Sequence, residues 1–186
     1  GSSGDAAARV SGMSRTMLHR IALLGARGAG VGIGAVTKTK VAGAKGYSVI
    51  WAGSADVAAN RPPVTVPGPG QVGVETLGRR ERPAPVVPED FYGVPRGYPI
   101  SVSYGPRILT DVKLQLFASS GKKKVAVEGH LFTPESPIHS TRPSNSSTAF
   151  FMADQPLKPK TRYSAVFEAK EGERPVQLTW TFTTGN

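Results

Sequence analysis

Two runs near the end of the chain, Tyr163-Ala165-Phe167 and Val176-Leu178-Trp180-Phe182, place an apolar residue at every second position. Side chains leave alternate faces of an extended strand, so this period gathers them on one buried face, whereas a helix would scatter them around its axis. The polar stretch Lys170 to Pro175 joins the runs through a glycine and a proline, and an antiparallel hairpin is expected. Just upstream, Gln155 to Arg162 carries Pro156 and Pro159, which cannot donate to a ladder; this segment is expected to turn the corner from an earlier strand into the hairpin. Tyr163, Phe167, Trp180 and Phe182 then belong to a core, because one face of each strand must be buried.

The same period recurs in Ile100-Val102-Tyr104, Val112-Leu114-Leu116, Val125-Val127 with Leu131, and Ala149-Phe151. Gly-Pro, Ser-Ser-Gly and Pro-Ser-Asn turns separate these runs, so residues 98–186 are expected to form an antiparallel β-sandwich with one buried face per sheet. Residues 53–97 show no sustained period and hold eight of the chain's 16 prolines, the mark of a proline-rich linker in extended form on a surface.

Residues 1–12 are small and polar and are expected to be a flexible N-terminus, opening on Gly1-Ser-Ser-Gly4, an expression remnant or a terminus left by processing. In 13–52, Ser14 is the expected N-cap of a short helix whose apolar face is Met17, Leu18 and Ile21, with Gly25 as its stop. Ala29 to Val36 then reads as a strand with glycine at alternate positions, and Tyr47 to Trp51 as its antiparallel partner. A short helix and one glycine-rich hairpin bury little apolar surface. A separate N-terminal fragment of the same precursor, or another copy of the chain, is therefore expected to cover them.

The chain carries a formal charge of +10, split as +5 in residues 1–60, +1 in 61–97 and +4 in 98–186. A nucleic-acid binder concentrates charge on one stripe with interleaved aromatics, whereas the densest run here is Lys122-Lys123-Lys124, read as a solvated hairpin turn. Nucleic acid is accordingly not expected as a partner, while the basic balance favours association with an anionic envelope. The most apolar N-terminal stretch, Met17 to Val36, is interrupted by His19, Arg20, Arg27 and five glycines, so no transmembrane segment is expected. Cysteine is absent, which removes disulfides and thiolate zinc sites.

Few residues invite a chemical reading. The glycines from Gly25 to Gly34 are spaced like those of a phosphate loop, but a dinucleotide site needs a strand before them and a helix after them. Here that order is reversed, and the first acidic residue beyond them is Asp56. His19, His130 and His139 share no metal-ligand spacing, and no serine or threonine sits in a nucleophile elbow. Asn145-Ser146-Ser147 satisfies the glycosylation triplet and is read as a turn. No catalytic, cofactor-binding or metal residue is assigned, and no cofactor is expected.

Two blocks resemble known families. Residues 156–185, with the Pro-Leu-x-Pro-x-Thr-x-Tyr corner and a final strand ending Phe-Thr-Thr-Gly, resemble the closing strands of bacterial Ig-like domains. Leu18-His-Arg-Ile-Ala-Leu-Leu24 followed by Val31-Gly-Ile-Gly34 resembles the His-Arg, Leu-Leu and Gly-x-Gly pattern in the later half of CAP-superfamily (SCP-like) domains. Secreted bacterial members of that family can continue with a proline-rich segment, like Gly70 to Pro83 here, and an Ig-like module opening as Gly97 to Ile100 does. The family's cleft uses a His and two acidic residues from helices earlier than any segment here, and its second His aligns with Lys45, so no cleft residue carries over. His19 matches a His-Arg helix read as structural.

The combined reading is a mainly β chain with a partial α+β, CAP-like segment at 13–52, a linker at 53–97 and an Ig-like β-sandwich at 98–186. The resemblance implies an exported, non-enzymatic structural or interaction protein, extracellular or on a bacterial cell surface. The alternative it implies is part of a CAP-like binding or hydrolytic domain whose cleft a separate N-terminal fragment completes.

Overall fold

The alternating runs at the end of the chain form the last two strands of a mainly β protein. A computed structural model describes residues 11–24, 28–36, 47–54, 62–79, 94–105, 107–121, 123–138, 145 and 147–186. Its elements are α1 (Met17–Leu24), β1 (Gly28–Val36), β2 (Tyr47–Ser54), β3 (Val64–Val66), β4 (Ile100–Ser103), β5 (Thr110–Ser120), β6 (Lys123–Ala126), β7 (Gly129–Phe132), β8 (Thr148–Ala153), β9 (Arg162–Glu171) and β10 (Arg174–Thr183). Among the described residues, strands β1 and β2 pair only with each other, antiparallel as expected, and the rest form two four-stranded antiparallel sheets in the orders β10-β9-β5-β6 and β3-β4-β8-β7.

The β9–β10 hairpin is tighter than the polar stretch suggests. Pairing runs out to Glu171 opposite Arg174, leaving only Gly172 and Glu173 in the turn, and Gly172 takes φ +60° at the first central position, where a side chain would be strained. Pro175 therefore lies in the ladder opposite Lys170, which it can do because β10 is an edge strand. The Val125, Val127 and Leu131 run divides into two strands, β6 and β7, which belong to different sheets.

One core joins the two sheets. Ile100, Val102, Ala149 and Phe151 from one meet Leu114, Leu116, Tyr163, Ala165, Phe167, Trp180 and Phe182 from the other, all buried. Tyr163 and Phe182 stack with ring centroids 5.4 Å apart, and the Trp180 indole N–H donates to the Pro67 carbonyl at 2.9 Å, so the largest core side chain loses no polar partner on burial.

One buried face per sheet does not hold throughout. Every residue of β4 and β8 is buried on both faces, because the N-terminal segment lies over the outer side of their sheet. Met17 enters a second cluster with Phe132, Ile138, Phe150 and Met152, flanked by half-buried Leu18 and Ile21. The apolar side of α1 thus meets the chain's own sheet. Arg20 secures it: its Nε donates to the Ser14 carbonyl at 2.8 Å and Nη1 to Ser101 Oγ at 3.1 Å and to the Pro99 carbonyl. Its guanidinium lies 4.9 Å from the Tyr98 ring centroid, where cation–π attraction adds to the hydrogen bonds. Ser14 belongs to a helical turn at 11–14, and Thr16 is the residue ahead of α1, with Oγ1 at 3.1 Å from His19 Nδ1.

Residues 62–79, expected to be linker, are built into the sandwich. Strand β3 pairs with β4, and the chain then crosses to the edge of β10, where Gly70 N–H donates to the Thr181 carbonyl and Thr183 N–H to that of Gln71. Val74 N–H continues the pattern on Thr183, and the Thr76 carbonyl accepts from Tyr98 and Leu157. Prolines 62, 63, 67 and 69 obscure this in the sequence because they cannot donate, yet the residues between and beyond them supply the required N–H and C=O groups. Residues 1–10, 80–93 and His139 lie outside the described residues, and with them the expectations for a flexible start and for Pro83, Pro85 and Pro88.

Candidate functional site

One concavity in the sandwich begins with a fault in β5. Register with β9 slips between Thr110 and Lys113, and Asp111 adopts φ +52°, a left-handed conformation that aspartate tolerates better than most side chains. The slip brings Asp111 to Lys170, with 2.7 Å between Oδ2 and Nζ. That hydrogen bond, and then the charge behind it, holds the Asp111 carboxyl below its ordinary range and raises the Lys170 ammonium.

Across from this fault stands the turn after β7. Thr133 N–H donates to the Ser136 carbonyl at 3.0 Å, and Ser136 N–H returns to Thr133 Oγ1 at 3.1 Å. Asn145 sits beneath, 1% exposed; its amide donates to the carbonyls of Thr133 and Thr148 and its oxygen accepts from Ile138 N–H. Those bonds fix the turn, and their burial leaves the amide unsuited to carrying a glycan.

Between fault and turn lies a groove of about 940 Å³. Val112, Ala169, Pro175 and Val176 give it apolar lining, while Thr110, Thr133, Asp111, Lys113, Glu135, Glu168, Lys170 and Gln177 supply polar groups. Glu168 accepts from Gln177 Nε2 at 3.2 Å. Nearby, Tyr104 is 1% exposed with a hydroxyl that has no hydrogen-bond partner among the described residues; burial, and then the charge of Glu135, raises its pKa far above the ordinary phenol value. Arg107 Nε donates to the Tyr104 carbonyl at 3.3 Å and lies 3.8 Å through Nη1 from Glu171. Its lining includes neither histidine nor cysteine, and its ionisable groups are three carboxylates and two lysines.

The histidines do not converge. His19 is exposed on α1, whereas His130 in β7 places Nδ1 2.8 Å from Asp154, which also receives Arg96 Nη1 at 3.2 Å. Among the described residues no three His, Cys, Asp or Glu side chains gather as a metal would require. Lys123 and Lys124 are exposed at the start of β6, opposite Ser120 and Ser119 across a hairpin whose Gly121 has φ +60°, consistent with the solvated-turn reading. Sequence reading singled out no residue of the groove. Its walls come from strands far apart in the chain, and only the oddly polar Thr110-Asp111 pair ahead of Val112 marked the fault. No helix among the described residues is long and apolar enough to cross a membrane. Neither a family model nor a curated protein matches the chain.

Proposed function

We propose that the chain is an exported, non-enzymatic structural or interaction protein, extracellular or on a bacterial cell surface, whose sandwich is an Ig-like module. The observation that carries the module reading is Tyr163. It is the second residue of β9, and its hydroxyl accepts from the Lys158 N–H at 2.7 Å, five residues upstream, the arrangement of the tyrosine corner of Ig-like sandwiches. The strand orders support it: lettering β3, β4, β5, β7, β8, β9 and β10 as A to G gives A-B-E-D opposite G-F-C, with β6 as an added edge strand. Two features differ from antibody domains. Ala165 stands two residues after the corner tyrosine where those domains have cysteine, and the buried tryptophan lies on the last strand.

Location rests on the resemblance to secreted bacterial proteins and on the charge of +10, which favours an anionic envelope. Exposing intact source cells to external protease tests it. Loss of the cell-bound protein, or its recovery from the medium, is expected; a pool wholly protected until lysis would contradict the reading.

A second reading, part of a CAP-like binding or hydrolytic domain completed by a separate N-terminal fragment or another copy, draws support from β1 and β2, which among the described residues pair only with each other. Intact mass and native size of the protein from its source test it: a co-purifying N-terminal fragment or a dimer is expected, and a lone monomer would contradict it.

A further inference from the structure

We propose that the outer edge of β6 accepts an extended acidic segment of a partner protein as an added antiparallel strand, its carboxylates opposite Lys123 and Lys124 and an apolar side chain beside Val125. The inference rests on reading the sandwich as an interaction module and names the surface and the kind of partner.

Register decides which backbone groups are on offer. Val127 N–H donates to the Leu116 carbonyl at 2.9 Å, and Val125 and Lys123 follow it in the same ladder, opposite Ala118 and Ser120. In an antiparallel pair every second residue turns its N–H and C=O toward the neighbouring strand, so Val125 and Lys123 bond to β5 while Lys124 and Ala126 direct theirs outward. Beyond β6 this sheet has no further strand, and all four residues of β6 are exposed. The far edge of the sheet is closed instead: Gly70, Gln71 and Val74 bond to Thr181 and Thr183 of β10, and Pro175 has no N–H to give.

Side chains then set the chemistry of the added strand. Val125 shares the core-facing side with Ala118, yet it is 53% exposed, at a margin where Ala118 and Val127 are only partly buried. Lys123 leaves β6 on the same side as Val125, and Lys124 on the other. Across the ladder they meet the neutral Ser120 and Ser119, and no ion pair among the described residues engages either lysine. Lysine on an edge repels a second copy of the same strand and taxes a neutral one that would crowd its charge. A strand with acidic residues at the two facing positions converts that penalty into attraction, because opposite charges directly across a strand pair are favourable. The chain's charge of +10 draws such a partner in at longer range.

The test is NMR-detected amide exchange of the full chain with the capped peptide acetyl-Thr-Thr-Val-Glu-Glu-Thr-amide. In the antiparallel register its valine falls beside Val125 and its glutamates beside Lys124 and Lys123. Exchange at Lys124 and Ala126 is expected to slow about tenfold or more at saturating peptide, while Lys123 and Val125, already bonded to β5, change little. Lys123→Gln and Lys124→Gln should each weaken binding about two- to fivefold, the scale of a cross-strand charge pair. N-methylation of the glutamate opposite Lys124 removes a ladder donor and keeps the charge, so it should abolish the protection. A peptide with lysines in place of both glutamates should fail on the native chain and bind the double variant Lys123→Glu with Lys124→Glu. No protection at millimolar peptide, or equal protection by the acidic and basic peptides, would overturn the inference. Binding that N-methylation leaves intact would also overturn it, reducing the edge to a charge patch for any anion. None of these outcomes bears on location, which external protease decides.

Discussion

Three side chains show what the sandwich demands of individual residues. Trp180 is 5% exposed and keeps its indole hydrogen bond to Pro67, so Trp180→Ala should cost about 3–5 kcal/mol, whereas Lys123→Ala on the exposed edge should stay within about 0.5 kcal/mol. Denaturant midpoints of the two variants separate these outcomes; equal effects would mean that the indole is not packed as described. Tyr163→Phe removes the acceptor of Lys158 N–H while leaving the ring stacked on Phe182, and about 0.5–1.5 kcal/mol should be lost. Tyr104 behaves in the opposite sense, because its buried hydroxyl has no partner to lose among the described residues. Its folded pKa lies above the unfolded value, so the folded state holds the phenol proton more tightly. The resulting stability is complete below pH about 10 and drains away as pH rises from there toward the folded value. Tyr104→Phe should therefore be neutral or slightly stabilising at pH 7 and should flatten the alkaline fall; an unchanged alkaline limb would show that other groups cause it.

At the scale of elements, the helix and the proline segment test whether neighbours in space can be read from sequence. Met17→Ala opens a cavity against Phe150 and Met152 and should cost about 2–5 kcal/mol, while His19→Ala on the exposed side of the same helix should stay within about 0.5 kcal/mol. Unfolding midpoints that moved equally, or not at all, would detach α1 from the sheet. Strands β4, β5, β8, β9 and β10 were legible because each repeats an apolar residue at every second position. The three residues of β3 were not, since Val64-Thr65-Val66 is too short to display a period and sits among prolines. The outward-facing Phe150 and Met152 read as ordinary strand alternation, and nothing local disclosed that Met17 would cover them from more than a hundred positions away. The groove was hidden for the same reason: Val112 and Glu135 come to line one groove only when two sheets close.

Over the whole molecule, α1, the β3-β4-β8-β7 sheet and the β10-β9-β5-β6 sheet lie one upon the next in three layers, with residues 62–79 stitched along their edges. A helical segment and a strap that belong to this body should open with it, because the hydrogen bonds of Gly70, Val74 and Gly185 depend on the same strands that enclose the core. Native-state amide exchange of the full chain, followed with rising denaturant, measures that directly. The amides of Gly70, Val74, Arg79 and Gly185 should merge with those of β8, β9 and β10 into one global opening. Exchange of Gly70, Val74 and Arg79 at the rate of an unstructured chain, while β8 to β10 stay protected, would contradict the account and return residues 62–79 to the status of a linker.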